Sequence, residues 1–166
     1  SNHPSNYYIS IYASSGTAPG RGVDTNVVIR WVIREQDVDR SAYVVRQMIE
    51  RREIEAYVLN ILLFEVPFVL KKKRDFHQHD SLKVTSEIRR NIFSLPIVID
   101  SLYIVDLEKA IELAIKHDTN IFDSSNLIFA KQIGAVLITA DEKFANKFLG
   151  DPSICKLNNI KTLFNN

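Results

Sequence analysis

Short, continuously apolar runs set between longer stretches of helical periodicity constrain this chain most. Ala56-Tyr57-Val58-Leu59, Ile97-Val98-Ile99 and Ala135 to Thr139 are too short for helices, and only the last residue of the last run is polar. A strand that is apolar on both faces needs cover on both faces. Parallel sheets get that cover because their crossover connections are helical. The runs therefore predict an α/β fold in three layers, a central mostly parallel sheet flanked by helices. A further strand is expected near Ile154 to Leu157.

Helical patterns fill the intervals. Val27, Val28, Trp31 and Val32 recur at helical spacing behind Thr25 or Asn26 as a cap. A second helix spans about Asp39 to Arg52, with Tyr43, Val44, Met48 and Ile49 facing inward. Asn60 is placed to cap Ile61 to Lys73, and a linker, Asp75 to Asp80, separates that helix from Ser81 to Ser94. Asp106 and Asp123 are read as caps of two more helices, Gly134 ends the second of these, and Asp141 opens a last short one. Trp31, Phe64, Phe68, Phe93 and Phe129 fall on apolar faces, which assigns them to the core or a dimer seam.

The start of the chain is harder to place. Tyr7 to Ala13 is rich in strand formers, but Ser14 to Gly22 then brings three glycines and Pro19 before Asp24. If Val23-Asp24 ends the first strand, Gly20-Arg21-Gly22 is poor material for it. The alternative makes residues 1–22 a leader or an appended strand, non-native or disordered, ahead of a domain at 23–166.

A length of 166 residues with 46% hydrophobic composition suits one domain with one core. The single Cys155 excludes an internal disulfide, and no apolar run nears the roughly 20 residues of a membrane span. These features predict a cytoplasmic protein with no membrane partner. A net charge of +1 gives no global signal for nucleic acid, so phosphate contacts must come from local basic clusters or a bound metal.

Four acids stand where apolar runs give way to turns or helix starts: Asp24, Glu65, Asp123 and Asp141. Open parallel sheets gather such places into one crevice past the strand C-termini. Clustered carboxylates repel, and a hard divalent cation relieves that repulsion with oxygen ligands. Capping alone would account for Asp24 or Asp123, and Asp141 could simply open a surface helix. Glu65 is different, because it interrupts the apolar series Ile61 to Val69, where an unpaired carboxylate is costly.

Four segments carry a family resemblance in order: Val23-Asp24-Thr25-Asn26-Val27-Val28, Leu62 to Lys71 around Glu65, Ile121 to Ala130 around Asp123, and Leu137 to Phe144 around Asp141. Together they resemble the PIN domain, most closely the VapC-type toxins of toxin-antitoxin pairs. The resemblance implies a metal-dependent endoribonuclease in which Asp24, Glu65, Asp123 and Asp141 hold Mg²⁺ or Mn²⁺, with Asn26 and Thr139 as polar support. It also implies an RNA substrate, a homodimer and a small antitoxin partner. Two departures stand out: the glycine-rich lead-in to Asp24, and Ser124-Ser125-Asn126 where the family commonly has an alanine and often a tyrosine.

Lys71, Lys72, Lys73 and Arg74, followed by Phe76, His77 and His79, form a candidate RNA-binding rim, or else a solvated helix end. Three rival readings are an RNA-processing PIN nuclease without a toxin role, a phosphoacceptor regulatory domain, and a catalytically silent RNA- or protein-binding PIN domain. The phosphoacceptor domain would need adjacent acids after an early strand, whereas Asp24 stands alone.

Overall fold

The two residue periodicities, two for strands and 3.6 for helices, decide where each side chain of this sheet goes. In β2 (Glu55–Leu59), Ala56 and Val58 enter one buried cluster while Tyr57 and Leu59 pack into a second. In β4 (Val136–Thr139), Val136 and Ile138 join the first cluster and Leu137 the second. Each strand thus feeds two cores, one on either side of the sheet, giving the three layers predicted. The computed structural model describes residues 6–9, 27–34, 37–72 and 78–164, without the side chains of 6–9, 69–72, 78–81 and 163–164.

All strand pairings described are parallel, in the order β3-β2-β1-β4-β5, with β1 at Asn6–Ile9, β3 at Ile97–Asp100 and β5 at Ile154–Lys156. The chain moves from β1 outward to β2 and β3, then returns to the other side of β1 for β4 and β5. That reversal creates a switch point between β1 and β4, and ligands of open α/β sheets bind beyond the strand C-termini at such a point. Residues before position 23 therefore supply the middle strand: Tyr8 pairs with both Tyr57 of β2 and Leu137 of β4.

One face is covered by α1 (Val27–Val32), α2 (Ser41–Glu50), α3 (Leu62–Lys72), α4 (Gln78–Ser94) and α8 (Ile160–Phe164). The other face is covered by α5 (Leu107–His117), α6 (Ile121–Gln132) and α7 (Glu142–Asn146). The connection from α6 to β4 shows how sequence aims the chain. Gly134 adopts φ 66°, its N–H donates to the Lys131 carbonyl (3.3 Å), and the Ala135 N–H donates to the Ala130 carbonyl (2.8 Å). This Schellman closure satisfies the last helical carbonyls and turns directly into the buried strand.

Several local expectations need correction. Asp123 is the third residue of α6 rather than its cap; Asn120 caps that helix by accepting the Phe122 N–H at 2.7 Å. Asn60 does not cap α3 with its side chain: its Oδ1 accepts the Leu102 N–H at 3.2 Å and so ties the end of β2 to the end of β3. The fourth helix begins at Gln78, inside the expected linker, and Tyr43 is 44% exposed rather than inward. Trp31 and Phe129 are core residues, but Phe64, Phe68 and Phe93 lie at the surface.

Removing residues 1–22 takes the middle strand from between β2 and β4. The truncated protein is expected to lose the cooperative urea transition of the full chain, followed by far-UV circular dichroism. A truncated form that retains the parent midpoint would show that β1 is dispensable.

Candidate active site

Three of the four acids fall within described elements, and each is held by a different one. Asp141 lies two residues past the end of β4, where it caps α7: its Oδ1 accepts the Phe144 N–H at 2.9 Å. Its own N–H donates to Thr139 Oγ1 at 3.0 Å, and both residues are almost fully buried. A residue pinned at backbone and side chain in this way has little freedom to turn away. Asp123, 2% exposed, projects from the first turn of α6, and Glu65 from the first turn of α3 after β2.

The electrostatics link these three positions. Burial first, then the negative charges of Asp141 and Glu65, push the Asp123 carboxyl up to about 10, with Lys147 pulling it down. Burial alone raises Glu65 to about 7. One oxygen of each, Asp123 Oδ1 and Glu65 Oε1, is buried without a hydrogen-bond partner among the described residues. Buried carboxylate oxygens left unbonded are costly, and few persist in proteins without a reason.

Among the described residues, no group of three or more Asp, Glu, His or Cys side chains closes tightly enough to surround an ion. The charges of Asp141 and Glu65 still act on Asp123. Asp24 and Asn26 lie outside the described residues, as do Lys73 and Arg74 and the side chains of Lys71 and Lys72. The donor chemistry nevertheless suits a hard divalent cation. It consists of carboxylate oxygens, two of them orphaned, in a place where positive charge would lower the free energy.

A second feature draws on α3 and α6, the helices that carry Glu65 and Asp123, and helical spacing alone does not show it. Phe64 and Phe122, each immediately before a site acid, line a mainly apolar cavity of about 520 Å³ together with Tyr103, Leu107 and Ser125. Phe64 is 74% exposed, Tyr103 99% and Phe122 42%, so three aromatic rings face solvent beside buried charge. The Phe-acid dipeptide at both positions was the available signal. Helical spacing masked it by assigning Phe64 to an apolar face. Lys147 was also missed; its Nζ donates to the Asp118 carbonyl, which keeps a cation near Asp123.

With this geometry in place, the comparisons with known proteins become informative. The PIN domain family model matches residues 23–147. The chain belongs to the PIN domain family. A solved structure described as "Crystal structure of PAE2754 from Pyrobaculum aerophilum" is similar in fold: TM-score 0.54 and 18% identity, over 76% of this chain and 80% of that one. No curated protein matches. PIN domains have a nuclease-type fold and are generally Mg²⁺- or Mn²⁺-dependent, which agrees with the oxygen-only acids at the switch point.

The two raised carboxyls fix a pH dependence. A folded-state value above the unfolded one means that the native protein holds the proton more tightly. Stability from this source is fully present below the unfolded value near 4 and is lost as pH rises through about 7 for Glu65 and about 10 for Asp123. In EDTA, the urea midpoint is expected to fall between about pH 5.5 and pH 8.5. Asp123→Asn should reduce that fall and raise the midpoint at the alkaline end. An equal pH slope in the two proteins would mean that Asp123 is not the buried acid described.

Proposed function

We propose that this PIN domain is a metal-dependent endoribonuclease whose centre is formed by Asp24, Glu65, Asp123 and Asp141. The observation that carries the reading is the pair of orphaned, buried carboxylate oxygens on Asp123 and Glu65, coupled in charge and placed beside Asp141 at the switch point of the sheet. A fold gains nothing in stability from such an arrangement, so a ligand is the natural account of it.

In hydrolysis, a water oxygen forms a bond to phosphorus, the phosphorus–oxygen bond to the leaving ribose oxygen breaks, and that oxygen gains a proton. A divalent cation, when bound, supplies charge neutralisation and Lewis acidity for this displacement. The protein's own part is positional. Asp141 is fixed by the α7 cap and by Thr139, so its carboxylate sits in one orientation. Asp123 and Glu65 offer the orphaned oxygens as ligands, and Lys147 places positive charge beside Asp123. Phe64, Tyr103 and Phe122 give an unpaired base a stacking surface next to the acids, which favours single-stranded RNA over a closed duplex.

The toxin role, with a small antitoxin and a homodimer, is part of the proposal and rests on the order of the four segments. Leu107, Ile111 and Ile115, exposed along α5, offer apolar surface for a second chain. Light scattering of the purified protein tests the dimer.

Asp123→Asn and Glu65→Gln are each expected to lower cleavage of single-stranded RNA in Mn²⁺ on the order of 10²-fold or more, as loss of a group acting on transition-state charge does. Undiminished cleavage by both variants would place the centre elsewhere. Phe64→Ala and Phe122→Ala should act differently, raising KM with kcat nearly kept. One base stack is worth about 1–3 kcal/mol, roughly 5- to 150-fold. A change confined to kcat would contradict a stacking role.

A further inference from the structure

A second cavity, of about 570 Å³, lies between α1 and α2 and shares no lining residue with the acids or the aromatic cavity. Its walls carry four guanidiniums: Arg30 and Arg34, one helical turn apart, with Arg40 and Arg46. Trp31 braces the two helices, its indole N–H donating to the Ala42 carbonyl at 2.8 Å. The chain's net charge is only +1, so four arginines around one hollow are a local concentration and not a reflection of composition.

Among the described residues, two acids, Asp37 and Glu50, line this hollow against the four arginines. Asp37 spends both oxygens on the start of α2, accepting the Ala42 N–H at 2.9 Å and the Tyr43 N–H at 3.0 Å. Glu50 pairs with Arg46 at 3.5 Å, and among the described residues Arg46 is the only one of the four arginines in an ion pair. The Arg40 guanidinium is held over the Tyr43 ring, 4.7 Å from its centre, on a residue kept at φ 62°. Arg30 Nε is buried and has no hydrogen-bond partner among the described residues. A guanidinium N–H withdrawn from water and left unbonded is as costly as the orphaned carboxylate oxygens of the acid site, with the opposite sign. It calls for an anionic acceptor.

We infer that the α1–α2 cavity binds phosphates of the RNA backbone away from the cleaved bond, with Arg30 and Arg34 as the main contacts. This rests on the ribonuclease reading for the identity of the polyanion. Planar guanidinium forks match phosphate oxygens in pairs, and several forks around one hollow suit successive phosphates better than a lone ion. Such contacts position a strand without reading its sequence.

The test uses the full chain carrying Asp123→Asn, in EDTA, with a fluorescent single-stranded RNA of about 20 nucleotides titrated at several salt concentrations. Arg30→Gln with Arg34→Gln is expected to weaken binding on the order of 10-fold or more and to make the log–log salt slope shallower by about 0.7 for each phosphate that is no longer neutralised. Arg51→Gln with Arg90→Gln, an equal charge change at exposed positions outside the cavity, should cost much less. Equal losses in the two pairs would reduce the effect to general charge and overturn the inference, as would an unchanged slope in the Arg30/Arg34 protein. Polyglutamate of matching charge that competes as well as RNA would assign the hollow to an acidic protein partner instead, also overturning it. Cleavage by the parent in Mn²⁺ is scored separately, so an inactive parent sinks the ribonuclease reading and leaves the binding result to be judged on its own.

Discussion

The packing of α6 against β4 is the contact on which the site depends, because it holds Asp123 and Asp141 out of water beside each other's charge. Leu127, Phe129 and Ala130 of α6 share one buried cluster with Leu137 of β4, joined by Phe144 of α7, and none is more than 5% exposed. Full burial of a large apolar side chain gives about 1.5–3 kcal/mol. Several such residues hold the acid in place, and the burial they impose pushes the Asp123 carboxyl up to about 10, so the scaffold keeps it protonated where a free carboxylate would not settle unaided.

Much of this architecture was legible in the sequence for a simple reason: covered strands leave apolar runs, and β2, β4 and the less covered β3 appear where those runs predicted, while β5 falls at the separate expectation near Ile154 to Leu157. The first strand overlaps the strand-forming run that starts at Tyr7, but the glycine-rich residues 14–22 separate that run from Asp24 in sequence and hid its place in the middle of the sheet. The acids at β4 and α3 were legible because a charge that ends or interrupts an apolar run needs an explanation. Asp123 was read as a cap, which Asn120 is instead, since Asn120 and Asp123 are both good caps and only the helix start distinguishes them.

What sequence could not supply was the relation between elements. Helical spacing places Phe64, Phe68 and Phe93 on apolar faces, but whether a face is covered depends on where the helix sits, and all three remain exposed. The arginines between residues 30 and 46 read singly as solvated charge. They become a feature only when Trp31 draws α1 onto α2 and the same hollow opens to all four. Both omissions have one cause, that a surface is a property of neighbours and not of a helix.

The two cavities also differ in how water treats them, and this bears on how an RNA strand would be held. Stacking on Phe64, Tyr103 and Phe122 removes apolar area from water, an effect that salt leaves largely intact. Guanidinium–phosphate contacts release counterions and weaken steeply as salt rises. In the ribonuclease reading, a chain with a net charge of +1 gains little long-range attraction for RNA from its overall field, and capture falls to the local arginine hollow. The acids oppose this less than their number suggests, because burial holds Asp123 protonated up to about pH 10 and Glu65 up to about pH 7, so near neutral pH the centre repels a phosphodiester less than a set of bare carboxylates would. A divalent cation bound there would displace those protons, which makes its affinity rise with pH.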